Sequence, residues 1–156
     1  MTSLTLVRRI AARPTIVFEA LTTPEGVASW WGPDNLPVLS AELDARVGGA
    51  YRVRFQTVDG QQHEAFGECL EVDPPRRLAI SWTYAFGGEP EEAGRTSRVE
   101  FDVRPIDGGA ELTLTHTRLA NEASLASHAH GWTGSLAKLV ARLGALAENP
   151  QEGIGR

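Results

Sequence analysis

Sulfur is scarce in this chain: one cysteine, Cys69, and one methionine among 156 residues. A lone cysteine excludes an intrachain disulfide and any zinc site built on paired thiolates. Long apolar runs are also missing. No stretch approaches the roughly 18 to 20 residues that cross a bilayer, and "MTSLTLVRRIAARP" has no uninterrupted apolar segment of the signal-peptide kind. The cytoplasm is the expected location, and no membrane partner is expected. Basic residues are outnumbered, 15 against 20 acidic ones, giving a formal charge of -5, and they are scattered rather than gathered in a stripe. Nucleic acid is therefore excluded as an expected partner. Repeats, low-complexity linkers, glycine-rich phosphate loops, nucleophile elbows and helically spaced carboxylate pairs are all absent. What remains is a 42% hydrophobic chain of a length that suits one domain, residues 1–156, with a frayed tail over 148–156.

Punctuation by glycine, proline and aspartate cuts the chain into short segments. "SLTLVRRIA" (3–11) reads as a first strand. Pro14 suits a first helical turn, with Ile16, Val17, Ala20 and Leu21 at helical spacing, and Thr23-Pro24-Glu25 starts a second short helix through "PEGVASWW". From residue 49 the period changes to two. Tyr51, Val53 and Phe55 alternate with Arg52, Arg54 and Gln56, and Asp59-Gly60 signals a hairpin. "QHEAFGECLEV" (62–72) is the return strand, with Gly67 a candidate bulge. "RRLAISWTYA" (76–85) carries Leu78, Ile80, Trp82 and Tyr84 on one face. "FGGEPEEAG" reads as a solvated, mobile loop. Val99, Phe101 and Val103, then Leu112, Leu114 and His116, mark two more half-wet strands joined by "IDGG". Between about 122 and 147, Leu125, His128, Ala129, Trp132, Leu136, Leu139, Val140, Leu143 and Leu146 form one apolar stripe on a helix of roughly 25 residues, about 38 Å long. The expected fold is α+β: a curved antiparallel sheet of about six or seven strands around a long C-terminal helix, with two short helices after the first strand.

"WWGP", "GGAYRVRF", "VDPPRRLAISW", "LTLTH" and "HAHGWTGSLAKL", in that order and spanning about residues 4–147, resemble the activator of heat-shock-protein-90 ATPase homologue-like family, within the START-like, Bet v 1-like helix-grip (SRPBCC) superfamily. The resemblance implies a cavity between sheet and C-terminal helix, of the kind used across that superfamily for lipids, polyketides and other apolar ligands. It also brings in a chaperone partner of the heat-shock-protein-90 type and a role in stress. The eponymous activator has a further chaperone-binding domain for which 156 residues leave no room.

Strand alternation and the helix stripe nominate the lining of that cavity: Trp31, Tyr51, Phe55, Trp82, Tyr84, Phe101, Leu114, His116, His128 and Trp132. Trp30 and Trp31, about 100° apart on a helix, divide between anchoring the second helix and shielding the loop or lining the cavity mouth. His116 has inward parity and can orient a ligand, move a proton, or be satisfied within the fold. His128 shares a helix face with Trp132, while His130 points away into solvent. With His63 distant, three metal ligands do not converge, so neither a metal nor another cofactor is expected. Glu68 becomes a carboxylate base only if it faces inward. Glu71 reads as wet, and Cys69 as a packing residue. The leading expectation is binding of an apolar or aromatic small molecule without catalysis. The alternatives are a cyclase- or hydrolase-type enzyme using a cavity histidine, and a chaperone cofactor. An exposed sheet edge makes a homodimer plausible.

Overall fold

Proline opens both short helices, because its missing N–H falls where a helix has no internal acceptor. In the computed structural model, which describes residues 2–146, strand β1 (Thr2–Ile10) leads into α1 (Pro14–Thr22) and α2 (Pro24–Ala28). Thr23 separates the helices, and its hydroxyl caps α2 by accepting from the Gly26 N–H at 3.0 Å. Strands β2 (Ser40–Leu43), β3 (Ala50–Gln56), β4 (Gln62–Asp73) and β5 (Arg77–Phe86) follow. A single 3-10 turn (Pro90–Glu92) precedes β6 (Ser97–Ile106), β7 (Gly109–Leu119) and the long helix α3 (Glu122–Leu143). Asn121 caps α3 through the Ser124 N–H at 2.9 Å, and Gly144, at φ 110°, ends it.

All seven strands form one antiparallel sheet in the order β1-β7-β6-β5-β4-β3-β2. Successive hairpins produce most of that order, and β1 closes onto β7, with Leu6 opposite Leu114 and Ile10 opposite Ala110. The C-terminal end of α3 is fixed to the end of β1, where the Ala11 N–H donates to the Gly144 carbonyl at 2.8 Å. Inward residues of β3 to β7 meet the buried stripe of α3, namely His128, Trp132, Leu136 and Leu139. The opposite face is wet and charged. Arg77 reaches Glu71, Glu100 and Asp102, and Arg98 reaches Glu71 and Glu100, so ion pairs run across three strands.

The expected architecture is present, with local differences. β2 was not foreseen, since "SAEL" is short and offers only Ala41 and Leu43 as apolar positions. α2 stops at Ala28, before the tryptophans rather than after them. α3 stops at Leu143 because Gly144 takes a positive φ that side-chain-bearing residues avoid; Ala147 and the tail 148–156 lie outside the described residues. Gly67 sits in regular register opposite Tyr51. The irregularities of β4 fall on either side of it, between Glu64 and Ala65 and between Cys69 and Glu71. Gly67 is required for another reason: a Cβ there would strike the Ser81 carbonyl oxygen. Glu68 is exposed and not an inward base. "FGGEPEEAG" is not simply solvated either, for Glu92 is buried at 5% exposure.

Candidate functional site

Four tryptophans converge under α3. Trp30 and Trp31 both turn inward, at 1% and 5% exposure, because the chain leaves the helix directly after α2 and the 100° rule no longer applies. Trp30 belongs to the fold: its indole N–H donates to the Ala20 carbonyl at 2.8 Å, tying α2 to α1, and its ring meets the edge of Phe101 at 6.3 Å. Trp31 stacks on Trp82 at 5.4 Å with planes 8° apart, and Trp132 stands edge-on to both, at 5.7 and 5.3 Å. Offset and edge-on contacts of this kind each contribute about 0.5–1.5 kcal/mol beyond area burial. The centre of the grip is therefore solid.

The space that survives lies to one side, under the N-terminal half of α3. It is a recess of about 170 Å³ bounded by Trp31, Phe55, Trp82, Tyr84, His128 and Trp132, with Gly131 and Ser135 of α3 leaving room above. Six of the ten nominated residues thus line one recess. The other four do not. Tyr51 is tethered by its hydroxyl to the Ser81 carbonyl at 2.6 Å, and with Phe101 it borders only a void of about 10 Å³ beneath α1 and α2, too small for more than a single water. Leu114 and His116 are fully buried behind the aromatic wall.

His116 is satisfied inside the fold. Trp132 donates its indole N–H to Nδ1 at 3.0 Å, and Nε2 lies 2.7 Å from Ser97 Oγ. Nδ1 accepts, so the single ring proton sits on Nε2 and is donated to Ser97, whose hydroxyl is directed at the Trp82 carbonyl at 3.5 Å. Burial, and then the neighbouring His128, hold its pKa well below the ordinary histidine value. This histidine is neutral and closed to any ligand.

His128 differs. Its Nε2 meets Glu92 Oε2 at 2.7 Å, and the same oxygen accepts from Ser124 Oγ at 2.6 Å. Burial alone would raise the Glu92 carboxyl, but the hydrogen bonds of His128 and the Ser124 hydroxyl outweigh it and bring the pKa below the usual value. Two buried polar atoms have no partner among the described residues: Glu92 Oε1 and the Trp82 indole N–H. The Tyr84 phenol is pushed up by burial and by Glu92, and pulled partly back by the Trp82 N–H, which is felt at the phenol oxygen without the alignment of a hydrogen bond. At the rim, His63 stacks on Phe55 at 5.1 Å and accepts the Gly88 N–H on Nδ1 at 3.1 Å; burial lowers its pKa. His130 is exposed and borders the opening, as does Glu89. Among the described residues, no arginine or lysine lines the recess.

Lys138, one turn beyond Ser135, donates to the carbonyls of Trp31 and Asp34 at 3.2 and 2.8 Å and so fixes the rim segment against α3. Sequence reasoning missed Glu92, because a glutamate in a glycine- and proline-rich loop carries no periodicity. The only signal was Pro90 followed by acidic residues, the opening of a helical turn. Gln61, Thr57 and Ser127 were missed for a related reason: each is polar, Gln61 exposed and the other two half-buried, and becomes lining only through the meeting of a hairpin end with α3.

Comparison with known proteins agrees with this geometry. None of the curated proteins matches the chain. Among solved structures, the AHSA1 protein of Silicibacter pomeroyi is similar over 91% of this chain and 97% of its own, at 31% identity and a TM-score of 0.79. A protein from Chromobacterium violaceum covers 90% and 96% at 28% identity and the same TM-score. The Aha1 dimer from Colwellia psychrerythraea, at 19% identity and a TM-score of 0.65 over 92% of this chain and 96% of its own, shares the fold. The family model described as activator of Hsp90 ATPase homolog 1-like protein matches residues 11–144, and the chain belongs to that family within the Bet v 1-like helix-grip fold.

Proposed function

We propose that this protein binds a small, uncharged, ring-bearing molecule in the recess beside Trp82 and Trp132. The supporting observation is the size and make-up of that recess: about 170 Å³, walled by aromatic rings, with a few polar groups and, among the described residues, no lysine or arginine. Drug-sized ligands occupy pockets of roughly 300–1,000 Å³, whereas a cavity of about 150 Å³ accommodates benzene. The volume therefore favours one aromatic ring over the lipids and polyketides that the family resemblance brings to mind. The lack of a lysine or arginine in the lining disfavours fatty-acid and phosphate anions, which arrive already charged and meet Glu89 at the rim.

Thermal unfolding with toluene, indole and benzaldehyde, against palmitate as the anionic long-chain control, tests the reading. A compound present at a hundred times its Kd stabilises by about 2.7 kcal/mol, a shift of roughly 5–10 °C for a domain of this size. The ring compounds are expected to raise Tm and palmitate to leave it unchanged. If no ring compound protects the fold, the proposal is wrong. The family name supports a second reading, partnership with an Hsp90-type chaperone. Mixing with a bacterial Hsp90 and measuring ATP turnover decides it, because a co-chaperone changes that rate and a ligand carrier does not.

A further inference from the structure

Resting on that reading, we propose that the His128–Glu92 pair makes the recess a site for phenols and enols, with Nδ1 of His128 taking the ligand's hydroxyl proton. Nε2 is engaged by Glu92, so Nδ1 is the remaining polar atom of a residue that lines the recess, and among the described residues the only side-chain hydrogen bond of His128 is the one at Nε2. A carboxylate behind an imidazole fixes its tautomer and ring orientation and leaves the far nitrogen as the acceptor, as in hydrolase triads and metal-bound histidines. Glu92 is itself held by Ser124 from the same helix and carried by the 3-10 turn of Pro90–Glu92. Placing an ionised carboxylate at 5% exposure with one oxygen unpartnered is costly unless something returns the energy. An imidazolium formed at His128 on ligand binding does so.

The step balances within the site. The ligand O–H bond breaks, its proton forms an N–H bond at Nδ1, and the electron pair stays on the oxygen. The resulting phenolate faces the imidazolium, with the hydroxyl of Tyr84, which lines the same recess and whose ring lies 5.9 Å from that of His128, as the donor beside it. Other titratable groups around His128 do not compete. His116, 4.4 Å away between ring centres on β7, has both nitrogens engaged and stays neutral, so no second cation opposes the first. His63 on β4 accepts the Gly88 N–H, and Glu89 and His130 sit at the rim. Glu92 acts through His128 and is a positioning residue.

The test uses para-nitrophenol, whose phenol and phenolate forms differ in colour, and nitrobenzene, the same ring without the hydroxyl. Both are titrated into the full chain near neutral pH. Bound nitrophenol is expected to be enriched in phenolate over the free dye. Glu92→Gln is expected to cut the bound phenolate-to-phenol ratio roughly tenfold, about one pKa unit, while leaving nitrobenzene affinity unchanged. Tyr84→Phe is expected to lower the ratio as well. If Glu92→Gln does not fold, His128→Phe serves in its place and must abolish the enrichment. Binding of both compounds with no enrichment in the natural protein, an enrichment that survives these substitutions, or binding of nitrobenzene alone overturns this proposal and leaves ring binding standing. Failure of both compounds to bind overturns the two together.

Discussion

His116 and His128 lie edge to face in one aromatic cluster and have opposite characters, and the difference comes from their partners. His116 accepts from Trp132 and donates to Ser97, so protonation would set an N–H against an N–H in a fully buried place. Its lowered pKa fixes the sign of a pH effect. Between that value and the unfolded value near 6.5 the unfolded chain binds the proton and the native chain does not, so stability is intact above about pH 6.5 and falls as pH drops below it, by up to about 1.4 kcal/mol per unit for one proton. Urea unfolding at pH 7, 6 and 5 is expected to show this slope, and His116→Asn to flatten it. His63, also lowered, adds a smaller share that remains in that variant. A slope unaltered by the substitution would mean that His116 titrates freely. The sequence showed the parity of His116 and the four-residue step from His128 to Trp132, but not these roles. Satisfaction by Ser97 and Trp132 depends on three elements meeting, and Glu92 arrives from a loop with no period to read.

Helix α3 was legible as a stripe, and its two interior glycines explain what the stripe does not. Gly134 lies so close to the segment after α2 that a Cβ would strike the Pro33 carbonyl oxygen, while a Cβ at Gly131 meets nothing within 4 Å. Alanine favours a helix interior over glycine by about 0.8–1.0 kcal/mol. Gly131→Ala is therefore expected to raise Tm by roughly 2–4 °C. Gly134→Ala, with the same propensity gain, is expected to lower Tm, because backbone must move and the Lys138 bonds to Trp31 and Asp34 lengthen. Calorimetry of the two variants decides between propensity and close approach: equal shifts would show that α3 does not rest on Pro33. Element starts were readable where a rule is local, as with Pro14 and the Thr23-Pro24-Glu25 start of α2. β2 was not, since four residues with two half-buried apolar side chains become a strand only because β3 offers them a free edge. The end of α3 was overrun because Leu146 continues the spacing past a glycine whose φ the spacing does not report.

A sheet that grips one helix must bury that helix along its length, yet here the C-terminal half of α3 packs on leucines while the N-terminal half leaves a recess beside its histidine and tryptophan. The meander order and the change from bulky, part-polar side chains to plain leucines along α3 were readable, and so was the end of the molecule at which space would survive. Its volume was not, because the Trp31–Trp82 stack and inward Trp30 fill the centre only once four distant segments converge. If the recess is kept for a ligand rather than left over from packing, closing it should stabilise the fold and remove binding together. Ser127 lines the recess from α3 at half-burial. Leucine there exchanges a weak helix former for a strong one and covers apolar wall, a gain of about 1–2 kcal/mol from propensity and one partly buried aliphatic side chain. Ser127→Leu is expected to raise Tm of the free protein by several degrees, while added toluene no longer raises it further. A variant that gains stability and keeps the full toluene shift would place the ligand elsewhere. One that loses stability would show that the wall is already packed to its limit, and ring binding at this end of α3 would fall with it.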